Sequence, residues 1–238
     1  MTPGREATGL PGIVVITGTD TEVGKTVTTA AVAAVVAHAG LSVAAYKPVQ
    51  TGVAPGEAGD MAEVRRLSGI ASVEGCRLRE PMAPRPAATL EGATLPTMAE
   101  HKATITRLAQ THDHVLVEGA GGLLVELTDE GETLADLADA LPDVGVVIVA
   151  RGALGTLNHT MLTRVALSHR RIRLLGNCIG SWPEHPTRIE TSNRDHLTGL
   201  SEGLLGAIPA GAPGLTPEQF RAAATSWLPG LGRHRQGT

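Results

Sequence analysis

The sequence predicts an α/β fold, a single doubly wound and mostly parallel sheet with helices on both faces. Three observations carry the prediction. Short β-branched runs recur along the chain without polar alternation, as in strands covered on both sides. Longer segments with helical spacing lie between them, which implies strand–helix–strand units with right-handed crossovers. The composition, 42% apolar and 18% charged over 238 residues, suits one domain with a sizeable core.

The elements follow in order. Ile13–Thr17 reads as the first strand and Lys25–His38, rich in Ala and Val, as the first helix. Ser42–Tyr46 is the second strand. Thr51–Asp60 and Pro81–Pro96 are rich in Pro and Gly and read as loops, placed at the carboxyl ends of strands where ligands bind in such sheets. Asp60 is expected to cap a helix over Met61–Leu67. Thr97–Thr111, Leu157–Ser168 and Thr187–Leu200 have helical spacing. His114–Glu118, Val144–Ala150, Leu174–Ile179 and Leu204–Ile208 complete the strands. Residues 1–12 are expected to form a flexible N-terminal tail and 229–238 a C-terminal one, so that the domain spans 13–228.

Composition excludes several classes. A net charge of −4 and a pI of 6.1 argue against a nucleic-acid coat or a basic membrane clamp. Tyr46, Trp182, Phe220 and Trp227 are the only aromatics, too few for a base-stacking surface. With two cysteines, Cys76 and Cys178, there is no disulfide framework. Cys178, in an apolar strand, reads as core. His112 and His114 flank Asp113 ahead of a strand, where side chains alternate, and no zinc site is expected there. No apolar run reaches the ~20 residues of a membrane span, and no leader is evident, so a cytoplasmic location is expected.

The strongest motif is Ile13–Thr26, IVVITGTDTEVGKT. Such a strand–loop–helix passage turns successive backbone N–H groups toward one point at the positive end of a helix dipole, which makes a phosphate cradle. Lys25 can then reach terminal phosphates and the Thr26 hydroxyl can hold Mg²⁺. A lysine at a helix start opposes the dipole unless an anion is bound. Five residues, Thr19 to Val23, separate Gly18 from Gly24-Lys25, one more than the common pattern. Two more groups stand at strand ends facing this loop. Lys47, one of only three lysines, follows the second strand and offers a second cation for charge developing on a phosphoryl group. Glu118 closes HVLVE, where a carboxylate can complete a magnesium site.

The elongated loop resembles that of the dethiobiotin synthetases. Tyr46-Lys47-Pro48-Val49, Asp60, Val117-Glu118-Gly119-Ala120-Gly121-Gly122 and Leu154-Gly155 with Asn158-His159 match in the same order, from Ile13 to Pro209. The resemblance implies a P-loop NTPase-like fold and the closure of 7,8-diaminononanoate with CO₂ to dethiobiotin, driven by a nucleoside triphosphate. Lys47 and Lys25 would be catalytic. Thr26, Asp60 and Glu118 would hold Mg²⁺. Nucleotide contacts would come from Glu22, Val23, Gly24, Lys25, Thr26, Val27, Asp60, Glu118, Gly119, Ala120 and Gly121, and at the base from Gly180, Ser181, Pro209, Ala210 and Gly211. Thr21 and Thr51 would meet the diamine. Gly155, Thr156, Leu157 and Asn158 would bind its carboxylate in the partner subunit of a homodimer.

The chain departs from that family at two places, of which one is Ile189–Asn193, where an aromatic substrate contact of some members is not retained and Thr and Asn stand instead. At the other, many members carry an Asn-Asp pair where this chain has Gly180-Ser181, and that Asn reads adenine. Weak discrimination among bases is therefore expected, with CTP accepted beside ATP. The competing reading is a dimeric ATPase switch of the partitioning or septum-positioning kind, which shares the fold. Such switches carry an extra lysine early in the loop, and Thr19 to Val23 contain none.

Overall fold

A computed structural model describes residues 8–231. Seven parallel strands form one sheet in the order β3-β2-β4-β1-β5-β6-β7. The strands are β1 (Ile13–Gly18), β2 (Val43–Gln50), β3 (Ala71–Arg77), β4 (His114–Gly122), β5 (Val144–Ala150), β6 (Leu174–Trp182) and β7 (Leu204–Pro209). The helices are α1 (Lys25–His38), α2 (Asp60–Ser68), α3 (Pro84–Glu91), α4 (Met98–Ala109), α5 (Leu134–Asp139), α6 (Thr156–His169), α7 (Arg188–Thr198) and α8 (Pro217–Trp227).

The apolar strands of the central sheet divide their side chains between two cores, as a period of two requires. Val14 and Ile16 pack with α1, α2 and α8, whereas Ile13 and Val15 pack with α3, α4 and α5. The first helix is apolar almost all round because α2 and α8 cover the side that the sheet leaves free. The chain winds outward from β1 to β3, returns to place β4 between β1 and β2, and continues through β5 to the other edge. That reversal puts a switch point at β4-β1-β5, and ligand crevices open there at the carboxyl ends of strands.

Several expectations are corrected. The stretch Pro81–Pro96 contains α3, with Pro84 in its first turn and Gly92 just past its end. Prolines that lack a usable N–H are tolerated in that first turn, so the same residues that resemble a loop can start a helix. Strand β3 and helix α5 were not expected; β3 (ASVEGCR) is a half-exposed edge strand without a continuous apolar run. Lys47 and Glu118 lie inside strands, since β2 runs on beside β3 to Gln50 and β4 runs on to Gly122. Asp60 does not cap α2; Gly59 occupies that position. Residues 8–12 are packed rather than loose. Leu10 joins the core, and the Gly12 N–H donates to the Asp143 carboxylate at 2.7 Å. At the other end the Gly230 N–H donates to the Leu205 carbonyl at 2.8 Å. The remaining parts of the two expected tails, 1–7 and 232–238, lie outside the described residues.

Candidate active site

The β2–β4 ladder ends at the pair Tyr46–Val117. Lys47 and Glu118 are the next residues on each strand. Both follow Ala45 and Leu116 by two positions, so both point to the α1 side of the sheet. There the Lys47 ammonium donates to Glu118 Oε1 at 2.9 Å and pairs with the Asp60 carboxylate at the start of α2. The Thr26 hydroxyl donates to the same Glu118 oxygen at 2.9 Å. Lys47 is 3% exposed and Glu118 fully buried. Burial disfavours the Lys47 ammonium, but the Glu118 and Asp60 carboxylates outweigh it and hold its pKa above that of an ordinary lysine.

The phosphate loop lies across this group. Glu22 (φ 54°) and Gly24 (φ 92°) both adopt left-handed backbone, the kind of conformation from which anion nests are built. For Glu22 that conformation is strained, as is common at ligand loops. Gly24 admits no side chain for a second reason: a Cβ would stand 2.3 Å from the Gly180 carbonyl oxygen. Lys25 Nζ donates to the Asp20 carbonyl at 2.9 Å. Burial first, then the neighbouring Lys47, lower the Lys25 pKa. Two ammonium groups and two carboxylates therefore stand together with little net charge. The second oxygen of Glu118 is buried without a hydrogen-bond partner. With the Thr26 hydroxyl and the Asp60 carboxylate it forms a hard-oxygen donor set of the kind magnesium takes. Among the described residues no three His, Cys, Asp or Glu side chains cluster to hold a metal by themselves.

A cleft of about 690 Å³ opens over these groups. Of the residues expected at the site, Thr21, Glu22, Gly24, Lys25, Thr26, Val27, Lys47, Thr51, Asp60, Ala120 and Gly121 line it. Glu118 sits beneath its floor. Val23 is buried among the core residues, and Gly119 faces the Leu134 side chain, where a Cβ would approach to 2.4 Å. Gly180 packs on the phosphate loop, a Cβ there meeting the Val23 carbonyl oxygen at 2.1 Å. Ser181, Pro209, Ala210 and Gly211 are exposed at the carboxyl ends of β6 and β7, joined by an Ala210 N–H donating to the Trp182 carbonyl at 2.8 Å. Gly155, Thr156, Leu157 and Asn158 begin α6 and do not line the cleft of their own chain. Pro81–Pro84, from a stretch expected near the ligand, line it too, and Gln50 and Val125 line it without having been expected. The side chain of Gln50, adjoining Thr51 at a strand end, was legible as a candidate; in the proline segment only the helix α3 was hidden by its loop-like composition.

The parallel sheet of this order and the loop that delivers Lys25 and Thr26 beside a buried carboxylate define a P-loop nucleoside triphosphatase fold. Solved structures agree. The septum site-determining protein MinD from Pyrococcus horikoshii aligns over 93% of this chain and 94% of its own with a TM-score of 0.57 at 15% identity. FlhF aligns over 90% of this chain and 72% of its own, also at 0.57, with 14% identity. Within that class, a family model described as an AAA domain matches residues 13–219. The ATP-dependent dethiobiotin synthetase of Rhodococcus jostii is 52% identical over 91% of this chain and 94% of its own length. That of Streptomyces avermitilis is 53% identical over 92% and 93%, and that of Mycobacterium avium 48% identical over 89% and 93%. The chain belongs to the dethiobiotin synthetase family.

Proposed function

We propose that this protein is a dethiobiotin synthetase of biotin biosynthesis, a ligase that uses ATP or another nucleoside triphosphate to close 7,8-diaminononanoate with CO₂ into the cyclic urea. The observation that carries the reading is the Lys47 ammonium, buried between Asp60 and Glu118 at the edge of the phosphate loop. One amine of the diamine captures CO₂ as a carbamate and releases a proton. A carbamate oxygen attacks the γ-phosphorus, and the nucleoside diphosphate leaves with the bridging oxygen. The second amine then attacks the mixed anhydride, expels phosphate and closes the ring. Lys25 and Lys47 stabilise the charge that develops on the transferred group, and the chain otherwise positions the reactants. Thr21 and Thr51 face the diamine end of the cleft.

Thr26, Asp60 and Glu118 would hold Mg²⁺, which would neutralise phosphate charge when bound; the unpartnered Glu118 oxygen supports this fit. At the base, Gly180 leaves no side chain to read one edge, which supports broad use of nucleotides, CTP among them. Competition binding in which ATP is strongly preferred over CTP, GTP and UTP would refute that. The start of α6, the exposed Leu154 just before it and the exposed Met161, Leu162 and Val165 on it support a homodimer in which Gly155, Thr156, Leu157 and Asn158 bind the diamine carboxylate in the partner's cleft. Among the described residues no helix is long and apolar enough to cross a membrane, and the proposed site of action is the cytoplasm. The test is phosphate release. It requires both diaminononanoate and bicarbonate under this reading; equal release without either contradicts it, and stimulation by DNA, lipid or a protein partner instead favours a switch.

A further inference from the structure

Helix α2 has no cap of its own. Gly59 stands at the capping position without a side chain, and Asp60 directs its carboxylate to Lys47. The first N–H groups of a helix lack partners within it, and a buried one must find an acceptor elsewhere. The neighbouring strand supplies it. Gln50 ends β2 and is 4% exposed. Its Oε1 accepts the Asp60 backbone N–H at 2.8 Å, and its Nε2 donates to the Thr51 carbonyl at 3.0 Å. The amide is thus held at both ends.

The ends of three side chains fill the space beside Gly59. A Cβ at Gly59 would stand 2.9 Å from Gln50 Oε1, 2.8 Å from Glu74 Oε1 and 3.0 Å from Arg77 Nη2. Glu74 and Arg77 are paired at 2.8 to 2.9 Å, and Arg77 also donates to the Glu57 carbonyl at 2.6 Å, which ties the loop before α2 to β3. A capping acceptor on β2, beside a glycine whose missing side chain leaves room for the Gln50, Glu74 and Arg77 side-chain ends, releases the Asp60 carboxylate from capping. A carboxylate that capped its own helix would turn back toward backbone N–H groups.

We infer that Gln50 is a positioning residue: by capping α2 from β2 it fixes the Asp60 carboxylate for Lys47 and for the divalent cation. The inference rests on the synthetase reading, in which Asp60 is a cation ligand. A merely structural cap would stabilise the helix without affecting metal affinity.

Manganese, followed by its paramagnetic resonance, replaces magnesium in the test, with a non-hydrolysable ATP analogue bound to the full-length protein. Gln50→Leu should weaken Mn²⁺ binding about tenfold and speed exchange of the Asp60 amide hydrogen. Affinity for the analogue without metal should stay within about twofold. Gln50→Glu keeps an oxygen acceptor and should restore protection of that amide. Gly59→Ala should reproduce the Mn²⁺ defect with Gln50 in place, which serves if Gln50→Leu does not fold. Wild-type Mn²⁺ affinity in folded Gln50→Leu or Gly59→Ala protein overturns the role of Gln50, as does an Asp60 amide that Gln50→Glu leaves unprotected. Wild-type protein that binds no Mn²⁺ with the nucleotide analogue refutes the synthetase reading instead.

Discussion

Two regions that the proposed function assigns to the nucleotide are made of different material. Around β1, β2 and β4 the chain places charged side chains in a dry setting: Lys25, Lys47 and Glu118 are all buried, and each has a partner or a neighbour of opposite sign. Around β6 and β7 it offers glycine, serine, proline and alanine, mostly exposed, with the backbone as the source of polar groups. Charges held in a low-dielectric site interact more strongly than in water and need no reorganisation when a phosphoryl group moves. Under the proposed function, backbone groups at an exposed rim would hold a base without selecting it sharply. The proposal thus makes the first region specify the chemistry and leaves the second permissive.

Changes at the phosphate end should cost most. Glu118→Ala removes one of the two carboxylates that compensate a buried ammonium, and breaking such a pair costs about 3–5 kcal/mol. Thermal unfolding should show a fall of roughly 6–20 °C for a domain of this size; a change under about 2 °C would mean that Asp60 alone suffices. At the other end, Gly180→Asn tests whether the missing amide can simply be put back. Its Cβ would meet the Val23 carbonyl oxygen, so the phosphate loop must move. Calorimetry should show ATP and CTP both bound about tenfold more weakly, whereas a gain in ATP affinity alone would show that the rim tolerates a side chain.

Protonation sharpens the contrast further. In the free protein Lys25 lies below the ordinary lysine value of 10.5, through burial and then Lys47. A bound triphosphate favours the ammonium and raises that pKa. Nucleotide binding should therefore take up protons at alkaline pH, and affinity should fall as pH rises through the lowered value of the free state. Titration calorimetry in two alkaline buffers of different ionisation enthalpy measures the uptake, and Lys25→Met should abolish it. The smallest effect is expected at Arg151→Ala. Its pair with Asp20, at 2.6 Å, lies at the surface with both side chains nearly half exposed, and such pairs contribute about 1 kcal/mol or less. Nucleotide affinity should change less than about fivefold.

Much of the phosphate end was legible in the sequence, because a buried lysine, a glycine and a carboxylate at strand ends have few other uses. Lys25, Thr26, Lys47 and Glu118 were each read from residue type and position, and the structure brings them together. What escaped depends on tertiary pairing. Asp60 reads as a cap until Gln50, ten residues earlier on another element, is seen to accept its N–H. Strand β3 has no apolar run because it borders the sheet, and α3 is masked by prolines that also suit a first helical turn. Gly180 reads as a missing amide, but its spacing says nothing of the loop packed on it. Thr8 to Gly12 resemble a tail by composition, although Leu10 is buried and Thr8 Oγ1 stands 3.2 Å from the His114 ring.

The claim on which the rest depends is that the ammonium between Asp60 and Glu118 acts on the transferred phosphoryl group. Single-turnover formation of the cyclic urea in Lys47→Ala, beside the wild type at saturating diamine, bicarbonate, nucleotide and magnesium, tests it most directly. A folded variant that still binds nucleotide should be slower by about 10²-fold or more, equivalent to about 3 kcal/mol. Ring closure at the wild-type rate would contradict it.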